Sequence, residues 1–335
     1  MKVFVLGGTG FIGYHAVREL LDRGHQVTVL ALDLPDPDLL PGEVDIRLAN
    51  FDECPDDEVK KLLEGHDGVV FAIGLDDRHV PKAPAYDFFY AANVTPAERF
   101  FRLASEVGVQ QGTLCGSMFV YFDRIWPGMN IASNHPYVRV RKEQAAAAIQ
   151  AASGMTVAIL ELPYIFGSMP GRTPLWAPLI DYVRSPWPLF YTSGGTTMIS
   201  VEHVAEAIAG AMESNRVSGC YPVGDVNLTW RELLASFGGM VGRTKRVITV
   251  PPAVMKPATW LYTVMKRLAG NEHGLQPVKF MDLQTINTFF RDEDLQASRQ
   301  ALHFGSGGIE QALRETVEAC LPPGTAGGTT SGAVP

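Results

Sequence analysis

The chain reads as an α/β protein: a doubly wound parallel sheet followed by a smaller, mostly helical C-terminal lobe. Three observations predict this. Short apolar runs alternate with helical stretches through the first half, a glycine cluster joins the first run to the first helix, and Pro, Gly, Trp and Met thicken after Gly167. Strands of a parallel sheet covered by helices on both faces are short, continuous apolar runs, and their crossovers are right-handed.

In chain order, "KVFVLGG" is a strand ending in glycines, "YHAVRELLDRG" a helix with a glycine stop, and "HQVTVLAL" a second strand. "DEVKKLLEGH" is helical and "GVVFAIG" a buried strand. "AANVTPAERFFRLASEVG" is a long helix, "GTLCGSM" a strand, "YVRVRKEQAAAAIQAASG" a helix and "TVAILELP" a strand. The first lobe is expected over 1–167, with a return from about 196–226 through "TTMISVEHVAEAIAGAME"; the second lobe takes 168–195 and 227–320. The end, 321–335, lacks apolar periodicity and is expected to be a disordered tail.

Of the 335 residues, 46% are hydrophobic and 19% charged, enough to bury a sizeable core. The net charge of −8 disfavours nucleic acid, whose phosphates reward clustered Lys and Arg. Four scattered cysteines without ligand spacing imply reduced thiols. No leader pattern opens the chain and no apolar run reaches the roughly 18 residues of a spanning helix, so a cytoplasmic protein without membrane insertion is expected. Scattered histidines predict no metal site. "VMKPATWLYTVMKRLAG" combines apolar and basic residues; it is expected to pack within the second lobe, with contact to a membrane surface as the alternative.

"GGTGFIG" supplies Gly7, Gly10 and Gly13 between a strand and a helix. Glycines permit a tight turn and close approach to a pyrophosphate, and the helix N-terminus offers N–H groups to it. A dinucleotide site follows, with Phe11 and Ile12 on its first helical turn. Ala31 and Leu32 stand where the acidic residue favouring NAD or the arginine favouring NADP would fall, so neither marker is in register. Asp33 takes the ribose role if the second strand runs slightly longer. The acidic run that follows it repels a 2′-phosphate, so the lean is to NAD over NADP.

"VLGGTGFIG" resembles the opening of the extended and atypical short-chain dehydrogenase/reductases, the superfamily of the NAD-dependent epimerases and dehydratases, and later stretches resemble it in the same order. The resemblance implies a Rossmann-type first lobe with the cofactor beside Asn50, Phe51, Ala72, Ile73, Asn93, Pro163 and Ile165. It implies a small-molecule substrate and, by analogy, a homodimer. The family's active site pairs Tyr-x-x-x-Lys with a Ser or Thr on the neighbouring strand; Ser117 and Tyr137 match the hydroxyl and the phenol. Arg141 holds the i+4 position and Lys142 the i+5 position. Residues four apart share a helix face, so Arg141 is assigned as the cation beside the phenol and Lys142 is turned away from it. Arginine lowers a phenol's pKa but cannot give up its own proton, which departs from the family's relay. Glu161 stands where the family often has arginine; buried, it needs a partner, and Arg139 or Arg141 is expected.

The stretch "SMFVYFDRIWPGMN" is expected as a loop over the substrate, with Met118, Tyr121, Trp126, Tyr164, Trp176 and Met198 lining an apolar pocket. The threonines of "GGTTMISV" replace the basic residue that nucleotide-sugar enzymes of the family commonly carry there, and nothing in the sequence fixes Arg172 or Arg184 in its place. The reading is hydride transfer between nicotinamide and a ketone or secondary alcohol of a fairly apolar small molecule. A nucleotide-sugar epimerase or dehydratase is the alternative; a cofactor-binding regulator and a non-redox biosynthetic enzyme on the same fold are the readings from other classes.

Overall fold

The computed structural model describes residues 1–214 and 219–321. Along the chain the strands are β1 (Lys2–Leu6), β2 (Gln26–Ala31), β3 (Asp45–Leu48), β4 (Gly68–Phe71), β5 (Gln111–Cys115), β6 (Thr156–Glu161) and β7 (Tyr164–Phe166). They continue as β8 (Leu189–Tyr191), β9 (Gly195–Ser200), β10 (Gly219–Pro222), β11 (Val226–Thr229), β12 (Val247–Thr249) and β13 (Asn287–Thr288). The helices of the first half are α1 (Phe11–Asp22), α2 (Asp56–Leu63), α3 (Ala85–Glu106), α4 (Met118–Ile125), α5 (Ile131–Asn134) and α6 (Pro136–Ala151). Those of the second half are α7 (Ala177–Arg184), α8 (Val201–Glu213), α9 (Trp230–Met240), α10 (Pro252–Leu268), α11 (Pro277–Gln284), α12 (Asp292–Leu302) and α13 (Ile309–Cys320).

Seven parallel strands form the main sheet in the order β10-β6-β5-β4-β1-β2-β3. β4 and β5 are buried along their whole length, and β1 throughout except Lys2, which is why they read as unbroken apolar runs. β3, at the edge, is only four residues long with none buried, and its two alternating apolar residues, Ile46 and Leu48, are too few to mark "DIRL" as a strand. Helices α1 and α8 pack together on one face; α2, α3 and α6 pack together on the other. Separate apolar cores fill the two interfaces, one around Val5, Val17 and Ile208 and one around Phe4, Phe71 and Phe100. The strand order reverses between β1 and β4, and in open parallel sheets the crevice at such a switch point, outside the carboxyl ends of the strands, is where ligands bind.

The second sheet runs β11-β9-β13, with β7 also paired to β9; a two-stranded ribbon joins β8 to β12. β9 belongs to this smaller sheet, while α8 and β10 after it complete the large one. We propose on this basis that the lobes divide as 1–167 with the return near 196–226, and 168–195 with 227–320, β9 being the seam. Of the expected tail, only Leu321 is among the described residues.

Two expectations are corrected. Residues after Ser117 form a helix, α4, and not a loop: Met118, Phe119, Tyr121 and Phe122 repeat at helical spacing and are buried, and Ser117 Oγ caps the turn by accepting from Phe119 N at 3.4 Å. The stretch expected to pack within the second lobe forms α10, which does pack on α11 of that lobe, but through its Thr259–Thr263 side, with Thr263 alone buried and the apolar residues left outside. Among the described residues no helix is long and apolar enough to cross a membrane.

Candidate active site

The glycine loop is as tight as backbone allows. Gly7 ends β1 at φ +91°, and a Cβ there would lie 2.6 Å from Ile73 Cγ2. A Cβ on Gly13 would stand 2.1 Å from Gly7 O and 2.8 Å from Gly8 Cα, which is backbone that cannot swing aside. Gly10 caps α1 without any side-chain hydrogen bond, so the first-turn N–H groups that Phe11 and Ile12 carry are left to a ligand. Ala72 and Ile73, at the end of β4, touch the same turn. This cradle, at the switch point, fits the pyrophosphate of a dinucleotide.

At the adenosine end, Ala31 closes β2 buried, Leu32 is 73% exposed, and Asp33 pairs with Arg172 at 3.2 Å. Arg172, which the sequence left without a position, thus reaches from the second lobe to the end of β2. Asn50 is spent on a turn, donating Nδ2 to Glu53 Oε1 at 2.8 Å. The Phe51 ring lies in the core under the Arg99 guanidinium, 4.8 Å from its carbon, and its carbonyl accepts from Arg99 at 2.7 Å, so neither ring nor carbonyl is offered to a cofactor.

Tyr137 and Arg141 lie on the buried side of α6, 5% and 8% exposed. The guanidinium carbon sits 5.8 Å from the centre of the phenol ring. Arg141 is fixed by Cys115 O at 2.5 Å and Asn93 Oδ1 at 3.5 Å, and its Nε has no partner among the described residues. Lys142, one step further, turns out to Asp123 at 2.8 Å and is 58% exposed. Burial pushes the Tyr137 phenol up to about 12, against the opposing pull of the Arg141 charge and of the nearby Ser117 hydroxyl; Asp77 and Asp76 add to the rise. Asn93, fully buried, ties the parts together: its Oδ1 accepts from Leu75 N at 3.1 Å and its Nδ2 donates to Phe89 O at 3.0 Å. Its carbonyl accepts from Gln144 Nε2 at 3.0 Å.

Sequence reasoning missed three participants. Asp77 follows β4 on the strap that Asn93 holds. Its neighbour Asp76 is committed to Arg78, whereas Asp77 acts on both Tyr137 and Tyr164 and is opposed by Arg141. Burial and the Asp76 charge raise the Asp77 carboxyl above the usual range. Its signal was only a pair of acids at a strand end, common in solvated loops. Gly274 accepts from Tyr137 N at 3.0 Å; a Cβ there would strike Phe89 and Tyr137 Cβ. Arg124 is the partner of Glu161, in a two-point pair at 2.7 and 2.8 Å. This corrects the expected Arg139 or Arg141. Arg139 pairs with Glu143 on its own helix, and Arg141 is held at Cys115, whereas α4 carries Arg124 to the end of β6. Finding it required knowing that α4 is a helix.

The apolar residues assigned to the substrate divide. Tyr164 is half-buried, its ring 5.5 Å from Trp176 and 5.6 Å from Trp230, and burial raises its phenol pKa. Met118 is buried where α4 starts, next to Ser117. Tyr121 is withdrawn from the pocket: its hydroxyl donates to Asp294 at 2.6 Å and accepts from Arg291 N at 3.2 Å. Met198 is fully buried in the second-lobe core, and Trp176 stacks on Phe166 at 4.4 Å with Nε1 donating to Ile165 O. Trp126 stacks on Phe122 at 4.5 Å. Met198 and Tyr121 are packing residues because the sheet and α12 close over them. Pro163 lies buried between β6 and β7, and Ile165 is half-buried in the middle of β7. Among the described residues no group of three or more His, Cys, Asp or Glu is placed to hold a metal ion.

A glycine cradle at the switch point of a parallel sheet, with a tyrosine on a helix beside it, defines a nicotinamide-dinucleotide-binding protein of the extended short-chain dehydrogenase/reductase fold. Residues 7–215 match the model of the NAD(P)H-binding family, and the chain belongs to that family. It is similar to mouse sterol-4-alpha-carboxylate 3-dehydrogenase, decarboxylating, 29% identical over 130 residues. That match covers 37% of this chain and 32% of the mouse protein. It is 23% identical over 335 residues to the Synechocystis protein named "Putative dihydroflavonol 4-reductase", covering 94% of this chain and 93% of that protein. Among solved structures, gox2253 superposes with a TM-score of 0.76 at 17% identity, covering 95% and 97% of the two chains. MoeE5 in complex with UDP-glucuronic acid and NAD gives 0.65 at 16% identity, covering 95% and 98%. At these identities the structural likenesses establish the fold.

Proposed function

We propose that the protein is an NAD(P)-dependent oxidoreductase acting on a ketone or secondary alcohol of a fairly apolar small molecule, and that NAD is the preferred cofactor. The observation that carries this reading is the pairing of Tyr137 with Arg141 on one buried face of α6, with Ser117 opposite the phenol and Lys142 turned away. The two full-length or partial relatives named as a reductase and a dehydrogenase support it.

A nicotinamide dinucleotide bound at the glycine cradle supplies or accepts the hydride. The protein's part is to hold the pyrophosphate on the first turn of α1, to orient the substrate oxygen between Ser117 and Tyr137, and to move one proton at the phenol oxygen. In the reducing direction Tyr137 donates; its raised pKa keeps it protonated at neutral pH. In the oxidising direction the phenolate accepts, favoured by Arg141 and disfavoured by Asp77 while that carboxyl is ionised. Arg141 holds charge without exchanging protons, so the proton reaches solvent by another route. Asp77, raised toward protonation and near both phenols, is the group we assign to that route.

A nucleotide-sugar substrate needs cations for its diphosphate. The two arginines that the sequence offers, Arg172 and Arg184, are each paired with an aspartate, which favours the uncharged substrate. The test is turnover of a panel of apolar ketones and secondary alcohols, and of UDP-sugars, followed at 340 nm and by product analysis. Tyr137→Phe is expected to lower kcat by about 10² to 10⁴-fold with NADH affinity retained. Full activity in that variant overturns the assignment, UDP-sugar turnover favours the epimerase, and cofactor binding without turnover of anything favours a regulator.

A further inference from the structure

Helix α10 is amphipathic with its faces reversed. The spacing i, i+4, i+7, i+11, i+14 puts Val254, Ala258, Leu261, Met265 and Leu268 in one narrow stripe. On a surface helix such a stripe ordinarily faces the core. Here it faces water: Val254 is 65% exposed, Leu261 55%, Met265 61% and Leu268 84%. The side turned to the protein carries Thr263 and Thr259, whose hydroxyls are returned to carbonyls of the helix itself, at 2.8 and 3.0 Å. Trp260 and Tyr262 flank the stripe, both exposed, and the ribbon that leads into α10 pairs exposed Phe190 with exposed Ile248. An exposed apolar stripe of this kind on a folded protein marks a place where something binds.

Charge identifies what binds. Residues 243–282 hold seven Lys and Arg against two acidic residues, in a chain whose net charge is −8. Lys256 is neutralised by Asp282 at 2.7 Å. Lys266 rests over the Tyr262 ring and Arg267 reaches the neutral Gln276 side chain, and neither makes an ion pair among the described residues. A two-fold contact between copies through this face would set basic groups against basic groups, an arrangement that costs free energy. An anionic lipid surface satisfies both the stripe and its charged flanks. With 17 residues and basic groups along its sides, α10 has the length and composition of helices that lie in a membrane interface, and it is not one that spans.

We propose that α10 docks the protein on an anionic membrane surface, its Val254–Leu268 stripe in the acyl boundary and Lys266 and Arg267 among the headgroups. The chain leaving this helix runs directly to the candidate active site. Gly270 O accepts from Ala83 N at 2.9 Å, Gly274 O accepts from Tyr137 N at 3.0 Å, and Gln276 N donates to His135 Nδ1 at 3.0 Å. Docking therefore sets the start of α6 beside the bilayer. If the oxidoreductase reading above holds, an apolar substrate dissolved in the bilayer is delivered there; docking itself does not depend on that reading.

The test is flotation of the full chain with vesicles of about 30 mol % phosphatidylglycerol in phosphatidylcholine, and with phosphatidylcholine alone. Binding is expected on the anionic vesicles, weakened by salt, and at least about tenfold weaker on the neutral ones. Leu261→Gln with Met265→Gln, and separately Lys266→Glu with Arg267→Glu, are each expected to lower it by about tenfold or more, with Tm and NADH affinity unchanged. Equal binding to both vesicles overturns the anionic assignment. Absence of binding to either overturns the proposal, as does a concentration-dependent dimer in sedimentation velocity that the Leu261→Gln, Met265→Gln variant abolishes. None of these readouts uses catalysis, so they stand or fall apart from the proposed reaction.

Discussion

Removing Arg124 tests the pair that the fold builds between α4 and β6. Glu161 is fully buried at the end of a central strand, with both carboxylate oxygens accepting from Arg124 at 2.7 and 2.8 Å. Arg124→Ala removes two charge-assisted hydrogen bonds and leaves the carboxylate in the sheet. Losing one member of a buried pair costs about 3–5 kcal/mol; Arg124 is half-exposed, water can follow into its place, and about 3 kcal/mol is expected at pH 8. For a chain of this length that lowers Tm by about 4 °C. The cost depends on pH. Burial raises the Glu161 pKa in the folded state even with its partner present, and without the partner it rises further. A group whose folded pKa lies above its unfolded value contributes most to stability below the unfolded value, and that contribution is lost as pH rises through the folded pKa. The variant should therefore recover most of the loss near pH 5, where Glu161 takes up a proton, and Arg124→Ala with Glu161→Gln should stay within about 1 kcal/mol of wild type at both pH values. Differential scanning calorimetry at pH 5 and pH 8 measures this. An equal loss at both pH values would mean that Glu161 is not a buried, unpaired carboxylate in the variant, and would refute the reasoning.

Two further outcomes follow from the site. The Arg141 guanidinium carbon lies 5.8 Å from the centre of the Tyr137 ring, and its charge favours the phenolate against the burial that pushes the phenol up to about 12. Arg141→Met should therefore lower alcohol oxidation at pH 9 by about tenfold or more with NADH affinity retained, and Arg141→Lys by less; an unchanged rate in the methionine variant removes Arg141 as the tuning cation. At the other end of the cofactor, Asp33→Asn releases Arg172 and removes one of the negative charges at the end of β2. NADH should bind the wild type more tightly than NADPH, and the variant should shift that ratio about tenfold toward NADPH by fluorescence titration; tighter NADPH binding by the wild type would reverse the cofactor preference.

The alternating rhythm and the glycine loop were legible in the sequence because they are local. A strand buried on both faces must be apolar along its length, as β4 and β5 are, and a turn packed to within 2.1 Å of backbone accepts only glycine. The separation of Arg141 from Lys142 was equally legible, since a helix fixes the angle between successive side chains whatever surrounds it. Edge strand β3 was not, because a four-residue strand with a single pair of alternating apolar residues does not stand out from a loop.

Contacts between distant segments were decided only by tertiary structure. An aromatic or methionine in the sequence is the same whether it lines a pocket or fills a core. Packing of β9 and α12 settled that Met198 and Tyr121 fill the core. Glu161 announced its need for a cation, but the choice of Arg124 depended on the path of α4, and the meeting of Arg172 with Asp33 on how the second lobe folds over the first. The apolar stripe of α10 was present in the sequence with a spacing that predicts burial. That spacing states only that five residues share a face; the protein packs Thr263 inward and leaves the stripe in water, because the orientation of a helix about its axis is set by what packs against it.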